Sequence, residues 1–346
     1  MSFLTSLPFS TNNRYRQLAT LPGPCDAILS LSFSVDGRFL AAAGHHGVSV
    51  YDMSTSPPGA PVETPHITTN PLNPKHLFTA SSWLLNERDK RQILVVGTMR
   101  GDLLLWEWRS DQNVMPEPPQ EEEEVYDGQV LCIDVFEPRI AEGHHGRIAA
   151  TFVSRAVSVW SLSVTSKELS LVFRVSLEQS FIPQTVCFLR NRDLLVFNAL
   201  GRAFRLSVSP HFGQSLLRLT FGRSSVCLNK EQNMFIAWTG QNFDMFQLGN
   251  QVHVKTFHGG RSTFYRPKTV VFAEDGKFLL GGSESGRALL YDIATGRRIQ
   301  TLKYPHDGLV QTVAASRAAE GYLVAFTSSA TRTQNEIQLF YKPVKP

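Results

Sequence analysis

The sequence predicts an all-β chain of seven similar four-stranded sheets closed into one ring, a seven-bladed propeller. Three observations predict it. Short runs alternate apolar with polar or small residues and are separated by turn residues, as in Ile28–Phe33 followed by Asp36-Gly37. An aromatic or long residue returns near the end of every third run, at Tyr51, Trp106, Trp160, Arg205, Phe246, Tyr291 and Phe340, 41 to 55 residues apart. No stretch of the 346 residues holds a 3.6-residue apolar period long enough to make a helix.

The first copy reads strand, turn, strand, turn, strand: Ile28–Phe33, Asp36-Gly37, then Arg38–Ala43, then Gly44-His45-His46-Gly47 leading into Val48–Asp52. Residues 53–76 are rich in Pro, Thr and Ser, and residues 109–128 contain an acidic run. Each of these long connections must also supply the outer strand of its blade. The fourth copy is weak, with Arg202-Ala203-Phe204 before Arg205. The sixth is clear: Val270–Phe272, Asp275-Gly276, Lys277–Ser283, Glu284-Ser285-Gly286 and Ala288–Asp292, with Ile299–Leu302 as its fourth strand. The chain ends just after the third strand of the seventh copy, Ile337–Tyr341. Arg16–Leu21 looks like the outer strand Arg298–Leu302, so it is expected to complete the seventh blade and close the ring. The expected organisation is one propeller over 14–342, between tails at 1–13 and 343–346.

The segment Gly282-Ser283-Glu284-Ser285-Gly286-Arg287-Ala288-Leu289-Leu290-Tyr291-Asp292-Ile293-Ala294-Thr295-Gly296 resembles the WD40 repeat. That family runs Ser-x-Asp-Gly, alternating apolars, Trp-Asp and Thr-Gly, and His306 falls where it places a His before the next first strand. The resemblance extends from about Arg14 to Tyr341 and is closest in copies one and six. It departs from the family in one respect: no copy has the complete His, Asp, Ser/Thr and Trp set that stiffens a blade. Ser285 stands at the Asp position of copy six and Tyr291 at its Trp position. Strand pairing and apolar packing are therefore expected to hold the blades. The resemblance also implies that connections entering first strands, and those between second and third strands, line one face, the top.

Composition bounds the function. With 42% hydrophobic and 18% charged residues the chain is not a disordered one. Its net charge of +4 hides a split. Residues 110–127 hold seven acids and no base, so the remainder sets 34 bases against 23 acids, a balance of +11. Cys25, Cys132, Cys187 and Cys227 lie far apart, without Cys-x-x-Cys spacing; Cys132, Cys187 and Cys227 sit between apolar neighbours and read as small buried side chains, which suggests a reducing compartment. The first ten residues lack a secretory pattern and no run approaches a membrane span. A cytoplasmic or nuclear protein is expected.

No chemistry-bearing constellation stands out. The two Gly-His-His-Gly strings, at 44–47 and 143–146, join different strand pairs on opposite faces and read as turns rather than one metal site. There is no Gly-x-Ser-x-Gly elbow and no phosphate loop opening a helix. No catalytic residue, metal or cofactor is assigned. Basic residues at Arg88-Asp89-Lys90-Arg91, at Arg297-Arg298 and around Phe264-Tyr265 suggest a binder of an acidic ligand: nucleic acid, phosphoinositide or acidic peptide. They are spread over different blades, however, and Arg297-Arg298 lacks the Phe-Arg-Arg-Gly setting of lipid-binding propellers. Glu121–Glu124 are expected to fold back over basic surface and screen it. The favoured reading is a non-catalytic scaffold or adaptor, a monomer within a larger complex, that presents face loops to a protein partner. The expected top-face contacts are Arg261, Phe264, Tyr265 and Arg266, with Glu284 and Arg287 on the neighbouring turn and His306 and Asp307 on the next blade. An enzyme with a site in the central pocket is the remaining alternative.

Overall fold

A strand with apolar residues on both faces must be covered on both. In β3 (Phe39–Gly44), Leu40 and Ala42 point to one side, Phe39, Ala41 and Ala43 to the other, and all five are buried. A ring supplies every sheet with two neighbours. The computed structural model has this form. It describes residues 14–45, 47–64, 73–108, 127–166, 168–207, 214–217, 225–260, 268–306, 308–328 and 334–344.

Blade one is β2 (Ile28–Phe33), β3, β4 (Gly47–Asp52) and β5 (Ala60–Val62). Blade two has β6 (Phe78–Asn86), β7 (Arg91–Thr98) and β8 (Leu103–Trp108); blade three has β9 (Val130–Val135), β11 (His145–Phe152), β12 (Ala156–Ser163) and β13 (Leu169–Ser176). Blade four runs β14 (Pro183–Phe188), β15 (Leu194–Asn198), β16 (Ala203–Leu206) and β17 (Gln214–Leu217). Blade five is β18 (Val226–Asn229), β19 (Met234–Trp238), β20 (Asn242–Gln247) and β21 (His253–His258). Blade six is β22 (Val270–Ala273), β23 (Phe278–Gly281), β24 (Arg287–Asp292) and β25 (Arg298–Lys303). Blade seven takes β26 (Val310–Ala318), β27 (Gly321–Ser328) and β28 (Gln334–Pro343) from the C-terminal end, and β1 (Arg16–Cys25) from the N-terminal end.

The closing strand runs antiparallel to β28, from Arg16 opposite Tyr341 to Cys25 opposite Gln334, four residues beyond the expected Leu21. Of the two long connections, 53–76 supplies β5 as expected. The outer strand expected within 109–128 lies outside the described residues over 109–126. One strand was not foreseen: β10 (Arg139–Ile140) pairs in parallel with the end of the inner strand β6, at Leu85 and Asn86.

Seven clusters of buried apolar residues occupy the described residues, one at each seam between neighbouring blades. Fully burying a side chain of this size contributes about 1.5–3 kcal/mol. The residues that end the third strands enter these seams: Tyr51 between blades seven and one, Trp106 between one and two, Trp160 between two and three, Phe246, Tyr291 and Phe340 at the seams that follow. Blade four corrects the expected register. Phe204, not Arg205, is the seam residue; it packs on Phe181 at 4.6 Å between blades three and four. Arg205 is one residue out of phase, so it points to the opposite side of the sheet and is exposed.

The tyrosines at the family's Trp position bond across seams. Tyr51 Oη donates to the Pro22 carbonyl of β1, and Tyr291 Oη to the His258 carbonyl of β21. Side chains also bridge the inner strands. Ser81 meets Ser30 and Ser32 at 2.8 and 2.7 Å; Thr79 Oγ1 donates to the Val130 carbonyl at 2.6 Å, and Thr269 Oγ1 to that of Gln311 at 2.8 Å. These bonds tie the inner strand of each blade concerned to that of its neighbour.

Candidate functional site

The top face at blade six carries the expected contacts, and the described ones divide. Arg287, at the start of β24, and His306 are exposed; His306 lies edge-on to Tyr304 at 6.0 Å. Their two loops are joined, with Gly286 N–H donating to the Gly308 carbonyl at 2.6 Å and Tyr304 N–H to that of Gly286 at 2.8 Å. The Glu284 side chain is already engaged. It is 8% exposed and pairs at 2.9 Å with Lys268, itself 4% exposed, whose ammonium sits 4.4 Å from the centre of the Trp238 ring. Burial pushes the Lys268 amine below its ordinary range, and the bond and charge of Glu284 pull it back. Arg261, Phe264, Tyr265, Arg266 and Asp307 lie outside the described residues.

The turn that positions Glu284 depends on a close approach. A Cβ on Gly282 would come within 2.1 Å of the Val310 carbonyl oxygen, where β26 of blade seven crosses. Gly282→Ala is therefore expected to destabilise the protein by about 1–3 kcal/mol, as overpacking does. Urea unfolding of the variant checks this.

The structure assembles a second set of top loops that sequence reading passed over. In blades three and four, Val153, Ile182 and Leu200 are 44%, 43% and 64% exposed. Val153 is in the β11–β12 turn, Ile182 in the connection entering β14 and Leu200 in the β15–β16 turn. The three loops are linked: Leu177 N–H donates to the Arg155 carbonyl at 3.0 Å, and Arg202 pairs with Glu178 and reaches Ser180 Oγ at 3.4 Å. Beneath them Phe181 is fully buried, with the Arg202 guanidinium 5.9 Å from its ring. Single apolar residues in turns have no periodicity, so no sequence signal marks them; only the blade geometry brings them onto one face.

The basic residues are less available than their number suggests. Arg91 is buried between Asp89 and Glu107, the latter at 2.8 Å, and Lys268 and Lys342 are held in buried ion pairs. Arg88 pairs with Glu142 at 3.4 Å in solvent, and Arg297 and Arg298 are exposed. The acidic run, including Glu121–Glu124, lies outside the described residues.

Of the two Gly-His-His-Gly strings, the first joins β3 to β4 and the second leads into β11, so they remain apart; His46 lies outside the described residues. Among the described residues no group of three or more His, Cys, Asp and Glu is placed to hold a metal ion. Cys132, Cys187 and Cys227 occupy the inner strands of three successive blades. Burial pushes the Cys132 thiol up to about 12 and the Cys227 thiol to about 11, and raises Cys187 well above its ordinary value. At pH 8 a thiol titrating near 11 is about one part in a thousand thiolate. These three are expected to resist iodoacetamide in the folded protein and to react fully in guanidinium chloride, which mass spectrometry reads directly. The thiolate is the reactive form, so this state does not suit them to nucleophilic chemistry.

The geometry defines a closed ring of seven four-stranded blades. Residues 15–57, spanning the closing strand and most of blade one, match the family model described as "WD domain, G-beta repeat". The chain thus carries one repeat that matches this family, and it folds as a seven-bladed β-propeller. No curated protein matches the sequence. Among the described residues no helix is long and apolar enough to cross a membrane.

Proposed function

We propose that this propeller is a non-catalytic scaffold that binds a protein partner through its top face and works as a monomer within a larger complex, in the cytoplasm or nucleus. WD40 propellers are generally protein-interaction scaffolds, and that fold supports the reading. The observation that carries it is the apolar tip on each of three linked top loops, Val153, Ile182 and Leu200, beside the Arg202–Glu178 pair. Exposed aliphatic side chains gathered on one face and rimmed by charge are the surface that protein partners cover. Arg287 and His306, with Arg261, Phe264, Tyr265, Arg266 and Asp307, extend the proposed contact surface to blades six and seven.

The test is quantitative. A partner captured by the wild-type protein is expected to bind at least about 30-fold more weakly to the Ile182→Asp, Leu200→Asp variant, the loss of about 2 kcal/mol that marks a binding hot spot. Tyr265→Ala and Arg266→Ala report on the second half of the surface. Undiminished binding by all of these variants, each folded by circular dichroism, would overturn the top-face reading.

A further inference from the structure

The opposite face holds a cavity of about 300 Å³ at the seam of blades four and five. It is built from the turns between first and second strands (189–193 and 230–233), from the β20–β21 turn and from the outward faces of β15 and β16. The lining has an unusual balance. It contains three cationic side chains, Arg190, Arg205 and Lys230, three carboxamides, three leucines and no carboxylate. Arg205 is there because of the register of β16, which turns Phe204 into the seam behind and Arg205 towards the cavity.

The cations differ in how far they are already satisfied. Asp193 holds Arg205 at 2.8 Å; Arg190 donates to the Lys230 and Glu231 carbonyls at 2.8 and 3.1 Å and pairs with Glu231 at 3.2 Å, which leaves the second Nη group of each guanidinium for a ligand. Lys230 has much less. Among the described residues its ammonium makes one hydrogen bond, a long one of 3.4 Å to the Phe136 carbonyl, and no ion pair. The rings of Phe136 and Phe188 flank it at 5.7 and 6.0 Å. The Asp134 carboxyl feels its charge but is itself held by the Phe188 N–H at 2.6 Å. A half-buried lysine with one long hydrogen bond, lining a cleft with two arginines and three leucines, suits an anion.

The count of charge selects which anion. Carboxylates already face all three cations, Glu231 at Arg190, Asp193 at Arg205 and Asp134 in the field of Lys230, so the cleft carries little net charge and suits a monoanion better than a phosphate dianion. Leu189, Leu195 and Leu248 select an apolar group next to it, and the volume lies at the small end of ligand cavities. We propose that this cleft binds a carboxylate carrying a short branched apolar group, with Lys230, Arg190 and Arg205 on the carboxylate and the three leucines around the apolar group. Two sources offer this chemistry: a free short organic acid, and the C-terminal residue of a peptide, whose backbone the carboxamides of Asn191, Asn233 and Gln251 would meet.

Isothermal titration with N-acetyl-leucine, its amide, and a hexapeptide ending in leucine as free acid or amide tests the site. Each carboxylate is expected to bind at least about tenfold more tightly than its amide, the factor that one charge-assisted hydrogen bond supplies. A peptide acid stronger than N-acetyl-leucine assigns the site to chain termini, and equal affinities assign it to free acids. Lys230→Met is expected to weaken binding at least about tenfold. Arg190→Gln, checked for folding by circular dichroism, is expected to weaken it too, while Arg298→Gln at an exposed site on blade six leaves it unchanged. Equal affinities for acid and amide, tighter binding of inorganic phosphate, or no binding by the folded wild-type protein would overturn the proposal. None of these readouts involves the top-face partner, so the two readings fail separately.

Discussion

Lys342→Met is expected to cost the folded ring about 3–5 kcal/mol, because it strands a carboxylate in the interior. Lys342 lies at the end of β28 and is 7% exposed; Glu274, in the β22–β23 turn, is 5% exposed. The ammonium bonds both carboxylate oxygens, at 2.8 and 2.7 Å, and lies 4.9 Å from the Phe278 ring and 5.8 Å from that of Tyr15. Tyr15 in turn exchanges two hydrogen bonds with Gln300 of β25, at 3.0 and 2.7 Å. One ion pair therefore joins blade six to the last strand of blade seven, beside the residue that precedes the closing strand. Methionine replaces the lysine stem but not its charge, and the buried carboxylate then has no counter-charge. The double variant Glu274→Met, Lys342→Met removes both charges and is expected to recover most of the loss, since well-packed apolar substitutes for a buried pair are often neutral. Urea unfolding of the two single variants and the double variant gives the cycle. Single losses below about 1 kcal/mol, or a double loss equal to their sum, would show that the pair does not hold the closure.

The ring was legible because its cause is local. Period-2 alternation, Asp-Gly turns and a recurring large residue at the end of each third strand are written within single copies, and they fix both the blades and their seams. The slip at blade four has the same origin. Ala203–Leu206 is only four residues long, and with Phe204 and Arg205 both large, length alone does not say which faces the seam. What the sequence hid was long-range. Glu274 and Lys342 are 68 residues apart, and Arg190, Lys230 and Gln251 come from turns of two blades. Each looks like an ordinary surface residue in its own neighbourhood, and whether a charge is buried depends on the blade that packs over it. Of the expected contacts at blade six, Arg287 and His306 are exposed, while the Glu284 side chain is tied to Lys268, a pairing that no local pattern announces.

Glu284→Met separates a structural role from a binding one. If Glu284 only touched a partner, its loss would leave the free protein's stability unchanged. Its burial with Lys268 over Trp238 predicts instead a loss of about 3–5 kcal/mol in the absence of any partner. The pH dependence carries a second signature. Burial already holds the Lys268 amine below its ordinary 10.5, and removing the carboxylate that pulls it back lowers it further. Between the lowered folded value and 10.5 the unfolded chain binds the proton that the folded one releases, so folding gains stability as pH rises. The penalty of the substitution is therefore full below the variant's folded value and shrinks as pH climbs to the wild type's, which itself lies below 10.5. Denaturant unfolding at neutral pH and near pH 10 reads this, with Arg298→Met, at an exposed site on β25, as the control. A penalty independent of pH would mean that Lys268 finds another anion in the variant. No penalty at all would return Glu284 to the surface, as a contact free to meet a partner.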